Sequence, residues 1–112
     1  MAIFKLLDSS PVIQAYRILD FKAWKTGSYI KIEIAIQDGT FLYVREYNDD
    51  QERNYSYHWQ DKARELILRW DNSPHHRQLR SFPHHKHIDG TVAESFEISL
   101  EEEVLAYIEK YV

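Results

Sequence analysis

The sequence contains no cysteine, so it offers no disulfide framework, no thiolate metal site and no thiol nucleophile. Three glycines and three prolines are too few for a collagen-like or linker-dominated chain. No apolar run exceeds a handful of residues, far short of the roughly 20 that a membrane-spanning helix needs. The stretch from Met1 to Leu7 carries one lysine and too short an apolar segment for a secretory signal. These absences lead to the expectation of a cytoplasmic protein that does not engage a membrane.

What is present fits one globular unit. The chain has 112 residues, of which 44% are apolar and 29% charged, enough for one core and too little for two. A single domain over 1–112 is expected. The net charge of −4 argues against a generic nucleic-acid-coating protein, but it hides an asymmetry. From His75 to Ile88 lie Arg77, Arg80, Lys86 and five of the six histidines, with no acid. From Glu94 to Lys110 there are six glutamates and one lysine. A basic, imidazole-rich stretch beside an acidic C-terminus is the main functional signal.

Strand patterning dominates. Tyr29 to Gln37 alternates strictly, with Ile30, Ile32, Ile34 and Ile36 on one face. Asp38-Gly39 follows, a two-residue hairpin signal. A two-residue loop pairs Ile36 with Phe41, Ile34 with Tyr43, Ile32 with Arg45 and Ile30 with Tyr47, and sets Lys31 opposite Glu46 on the other face. Tyr16 to Trp24 reads as an earlier strand, with Lys22 opposite Lys31 and Asp20 opposite Glu33. A second hairpin joins Asn54–Gln60 to Glu65–Asp71. It puts Tyr55, Tyr57, Trp59, Leu66, Leu68 and Trp70 on a core face, and Ser56, His58, Ile67, Arg69 and Asp71 on the other.

Helices are expected at the ends. Ile3, Leu6 and Leu7 suit a short one, and Ser10-Pro11 reads as a cap and first helical residue. Ser99 with Glu102 reads as a capping box for a C-terminal helix over about 100–111, whose apolar stripe is Leu100, Val104, Leu105, Ile108 and Val112. The expected architecture is α+β: an antiparallel meander sheet of about five strands with helices packed on one face.

Asn72-Ser73-Pro74 and Pro83 read as breaks, so the histidine pairs belong to a loop or extended segment at the sheet edge. Three readings of that segment compete. In the first, imidazoles and cations bind and cleave a phosphodiester without metal. His76, His85 and His58 transfer protons near neutral pH. Asp71 orients an imidazole. Arg45, Arg69, His75, His84, Lys86 and His87 hold RNA or its phosphates. In the second, His85 and His87, two apart in an extended segment, ligate Zn²⁺ with Asp71 or a third histidine. In the third, the loop is solvated and its histidines bond only within the fold. Arg45 adds a separate question, because the two-residue loop puts its charge on the apolar face, where an unpaired guanidinium is costly. Tyr55, Tyr57, Trp59 and Trp70 read as core rather than as base-stacking platforms.

Four motifs carry a resemblance: Arg45-Glu46-Tyr47; Tyr57-His58-Trp59-Gln60; Arg69-Trp70-Asp71-Asn72 with Pro74-His75-His76; and Phe82-Pro83-His84-His85-Lys86-His87. In this order they resemble the TumE family, the toxin half of bacterial and archaeal toxin–antitoxin modules, from about Pro11 to the C-terminal helix. The resemblance implies a growth-inhibiting toxin neutralised by a cognate antitoxin. RNA as its target is the inference from chemistry, and the acidic net charge departs from the basic balance expected of an RNA-cleaving toxin. The combined expectation is an RNA-directed, ribonuclease-like toxin with no obligatory cofactor and room for a homodimer. Its first-choice base and acid are His76 and His85. The alternative is a non-enzymatic module that binds metal, phosphate or protein through the same loop.

Overall fold

A computed structural model describes residues 2–111. Seven strands form one antiparallel sheet in sequence order: β1 (Ile13–Trp24), β2 (Gly27–Ile36), β3 (Phe41–Asn48), β4 (Arg53–Gln60), β5 (Leu66–Asp71), β6 (His85–Ile88) and β7 (Thr91–Glu94). Two short α-helices accompany it, α1 (Ala2–Ser9) and α2 (Leu105–Glu109), the latter entered through a π-helical turn over Leu100–Val104. The expected five-strand sheet with helices covering a face is therefore corrected to a seven-strand meander that makes up most of the fold. The two extra strands come from the histidine segment. Asp89 and Gly90 both have positive φ (52° and 74°) and close the β6–β7 hairpin in two residues, as a type I′ turn requires.

Asp38-Gly39 behaves differently. Ile36 pairs with Thr40 across a three-residue loop, with Ile36 N–H donating to Thr40 O at 2.9 Å and only Gly39 at positive φ (88°). Asp38 Oδ1 fixes the turn by accepting from the Thr40 amide (2.9 Å) and hydroxyl (2.6 Å). The register is thus one residue away from the expected one: Ile34 faces Leu42, Ile32 faces Val44 and Lys31 faces Arg45. A one-residue slip turns every side chain of β3 over. It buries Leu42 and Val44 and carries the Arg45 charge out of the core. Apolar burial of two aliphatic side chains and release of an unpaired guanidinium both favour this register.

On β1, Asp20 pairs with Lys31, Lys22 with Tyr29 and Arg17 with Glu33, because an irregularity between Ile18 and Asp20 shifts the strand. The expected Lys22–Lys31 and Asp20–Glu33 clashes do not arise. Ser10-Pro11 forms a turn into β1 and caps no helix. The expected faces of β4 and β5 hold except at Leu66, which is exposed, but the pairs are Ser56–Asp71, Tyr57–Trp70 and His58–Arg69, two residues further along β5 than strands ending at Gln60 and starting at Glu65 imply.

One face of the sheet is the core: Ile30, Ile32, Ile34, Ile36, Leu42, Val44, Tyr55, Tyr57, Trp59, Leu68 and Trp70 pack with Leu7, Leu100, Val104, Leu105 and Ile108. Ser99 Oγ accepts the Glu102 amide (3.1 Å), but the reciprocal carboxylate is Glu103, which accepts from the Ser99 amide at 2.5 Å. The wider π turn brings the fourth residue, not the third, back over the cap. Val112 lies outside the described residues.

Candidate functional site

The register that fills one face leaves the other polar. Lys31 and Arg45 face each other across β2 and β3, Arg45 faces Ser56 on β4, and His58 faces Arg69 on β5. These residues, with Tyr43 and Gln60, line a depression of about 430 Å³. Like charges directly opposite are unfavourable. Among the described residues no carboxylate lies within 4.0 Å of Lys31 or Arg45: Asp20, across from Lys31, pairs with Lys22 at 3.6 Å, and Glu33 pairs with Arg17 and Arg64 at 3.3 and 3.8 Å.

Asp71 organises the next part of the face. It is buried at the end of β5, yet its two oxygens have four partners. Oδ1 accepts the Ser73 amide at 3.0 Å and lies 2.9 Å from His85 Nε2. Oδ2 accepts Arg69 Nε at 3.0 Å and lies 3.4 Å from His87 Nε2. Burial pushes its carboxyl pKa up, but the Ser73 amide, the Arg69 guanidinium and His85 together outweigh that and hold it below the ordinary carboxylate value. Asp71 is therefore a carboxylate at neutral pH, and it fixes Arg69.

Arg69 in turn donates through its terminal nitrogen to His58 Nδ1 at 3.0 Å. A guanidinium only donates, so His58 accepts there and carries its proton on Nε2. Burial first, then the Arg69 and His87 charges, lower the His58 pKa below its ordinary value. Its imidazole is neutral at pH 7, with an N–H to offer.

Strand β6 brings His85 and His87 onto this same face, opposite Asp71 and Arg69. His85 is 2% exposed, and its Nδ1 lies 3.0 Å from the Pro83 carbonyl, so Nδ1 carries a proton. His76, from the loop after β5, meets both rings edge-on, with centroids 4.7 Å from His85 and 5.7 Å from His87. Burial lowers the His87 pKa, partly opposed by Asp71.

The expected site residues thus divide. Arg45, His58, Arg69, Asp71, His76, His85 and His87 come together on the open face. His84 does not: its ring stacks on Tyr55 and its Nδ1 lies 2.9 Å from the Tyr55 hydroxyl, on the core side. Lys86 pairs with Trp70 and alternates to the core side of β6, away from its two histidine neighbours. His75 is exposed on the loop. His85 is enclosed, with Nδ1 toward the Pro83 carbonyl and Nε2 toward Asp71 Oδ1. Tyr43, expected on the isoleucine face, belongs to the open face, and Lys31 and Ser56, expected on the polar side of their strands but not as site residues, line it too. Tyr43 follows from reading the Asp38-Gly39 loop as three residues, the choice that keeps Arg45 out of the core.

Among the described residues no helix is long and apolar enough to cross a membrane. The family profile described as "Toxin TumE" matches residues 3–112, nearly the whole chain. No curated protein and no solved structure matches.

Proposed function

The chain belongs to the TumE toxin family, and on that premise we propose that the open face of its sheet binds RNA by its phosphates and delivers it to the histidine cluster for cleavage. A toxin of this kind implies an antitoxin partner. The observation that carries the RNA reading is the convergence of Lys31, Arg45 and Arg69 on one depression, in a chain whose net charge is −4. Two of these cations face each other with no carboxylate within 4.0 Å among the described residues, an arrangement that costs stability unless an anion completes it.

Each cation has a distinct part. Arg69 is held at two nitrogens by Asp71 and His58, which leaves its remaining terminal nitrogen for a phosphate oxygen. Arg45 and Lys31 add charge in a row that crosses β3 and β2, where a backbone with regularly spaced phosphates can follow. The Ser56 hydroxyl and the His58 Nε2–H are neutral donors beside them. Together these groups stabilise charge on a phosphodiester in a local net-positive field. The overall acidic balance keeps nonspecific polyanion binding weak, so affinity rests on this one face.

Induced expression in a bacterial host tests the reading, with the wild type beside the Lys31→Gln/Arg45→Gln double variant. Growth and total RNA integrity are followed over time. The expected result is growth arrest with new RNA fragments for the wild type, and neither for the folded, equally expressed double variant. Undiminished toxicity in the double variant, or arrest with intact RNA in the wild type, overturns it.

A further inference from the structure

The cluster at the edge of the open face has a geometry that hydrogen bonding alone does not account for. His76, His85 and His87 each present a ring nitrogen, and these nitrogens all lie within 4.8 Å of one another. The three rings stand at 68°, 74° and 77° to each other, so they surround a point and do not stack. His85 and His87 have the Asp71 carboxylate beside them, but His76, half-buried, has no side-chain hydrogen-bond partner among the described residues. An imidazole turned toward two others with nothing to accept from or donate to has its lone pair available.

We propose that His76, His85 and His87 bind one divalent transition-metal ion of the zinc type, with the fourth position open. Four features fit that ion. A tetrahedral centre with bonds of about 2.0–2.1 Å holds its ligand atoms about 3.3–3.4 Å apart, and the three nitrogens, within 4.8 Å of one another, reach that spacing by small side-chain rotations. The Asp71 carboxylate, with Oδ1 2.9 Å from His85 Nε2 and Oδ2 3.4 Å from His87 Nε2, puts negative charge beside the ion. The His85 Nδ1–H to Pro83 carbonyl bond, the usual outer support of a metal-bound histidine, makes Nε2 the nitrogen that exchanges its Asp71 contact for the ion. Three imidazoles suit Zn²⁺, Ni²⁺ or Cu²⁺, whereas Mg²⁺ and Ca²⁺ favour all-oxygen sets.

The ligands also come from elements that can hold them. His85 and His87 are two apart on β6, paired with β5, so their spacing is set by the sheet. His76 lies on the loop between β5 and β6 and supplies the adjustable third arm. Arg69 opposes the ion with a charge 3.0 Å from Asp71 Oδ2, and the Asp71 carboxylate between them offsets it. The ion then stands next to Arg69, and the local field on the phosphate-binding depression becomes more positive. The metal site itself rests on the cluster alone and does not depend on the RNA reading.

The test uses the untagged full chain, stripped with EDTA and titrated with Zn²⁺, Co²⁺ and Mg²⁺ in the absence of RNA. One equivalent of Zn²⁺ is expected to bind and raise the melting temperature, reversibly on EDTA addition. Co²⁺ is expected to give the ligand-field absorption of a four-coordinate site, and Mg²⁺ to do neither. His76→Ala, at a half-exposed loop position, keeps the fold and should weaken Zn²⁺ binding by at least about tenfold, while His75→Ala, one residue away and exposed, should not. Absence of saturable Zn²⁺ binding by the folded wild type, or equal binding by His76→Ala, overturns the proposal. Because binding is read without RNA, either result leaves the growth and RNA-integrity experiment to be judged by itself.

Discussion

Replacing Arg45 with glutamine should leave the fold as stable as before, or slightly more so, while weakening RNA binding. The side chain faces Lys31 directly across β2 and β3, and no carboxylate lies within 4.0 Å of it among the described residues. Two cations about 6 Å apart in water repel by about 0.7 kcal/mol before salt screening. Glu33, a diagonal neighbour engaged with Arg17, Arg64 and Tyr43, returns part of that as attraction. The net expectation for Arg45→Gln is between no change and about 0.5 kcal/mol of stabilisation, which raises the melting temperature by at most about 3 °C. On labelled single-stranded RNA, removing one cation–phosphate pair should flatten the dependence of log affinity on log salt by about 0.7. Calorimetry or thermal fluorescence reads the first quantity, and anisotropy over a salt series reads the second. Higher stability together with weaker binding is the signature of a residue kept for function. A melting temperature lowered by several degrees would mean that Arg45 holds the fold together, and an unchanged salt slope would mean that it touches no phosphate.

Three further outcomes follow from the geometry. His85→Ala removes an imidazole that is 2% exposed and leaves Asp71 short of a partner, so denaturant unfolding should show a loss of about 2–4 kcal/mol; wild-type-like unfolding would mean that the ring does not support the fold. The His58 ring, whose pKa is lowered by burial and by Arg69, should titrate by NMR below its ordinary 6.5; as pH falls through 6.5 the unfolded chain takes up that proton first, so this group makes the fold progressively less stable toward acid, and a midpoint at or above 6.5 would contradict the Arg69–His58 contact. Gly27→Ala sets a Cβ 2.1 Å from the Asn48 carbonyl oxygen, a backbone atom that cannot swing aside, and should destabilise by about 1–3 kcal/mol, a cost that an unchanged unfolding midpoint would refute.

The parts of the fold that could be read in the sequence were those with strong local patterning. The isoleucine alternation of β2, the faces of β4 and β5, and the Ser99 cap all rest on near neighbours in sequence. The features that were misread depend on competition between distant residues. Asp38-Gly39 and Asp89-Gly90 are the same dipeptide, yet one closes a three-residue loop and the other a two-residue turn. The choice at the first is made by Leu42 and Val44, which must share the core face with Ile32 and Ile34. Strands β6 and β7 are four residues each, too short for periodicity to register, and their residues look like a polar loop until β5 is there to pair with them.

The site was legible to the same extent and for the same reason. Histidine count, the absence of acids among them and Asp71 on the polar face of β5 were visible as composition and alternation. Which histidines meet was not, because alternation along β6 decides it: His85 and His87 turn to Asp71, and Lys86 between them turns to the core side. Arg45 shows the link between the two levels most directly. In a two-residue loop its charge would be trapped in the core, and its placement would have to be explained as strain. With one more residue in the loop the same arginine stands over Lys31 on the open face, and two cations that destabilise each other become the strongest argument for an anion between them. The register of one hairpin therefore fixes both the core and the functional face, and a substitution that restored a two-residue turn at Asp38-Gly39 would have to spoil both together.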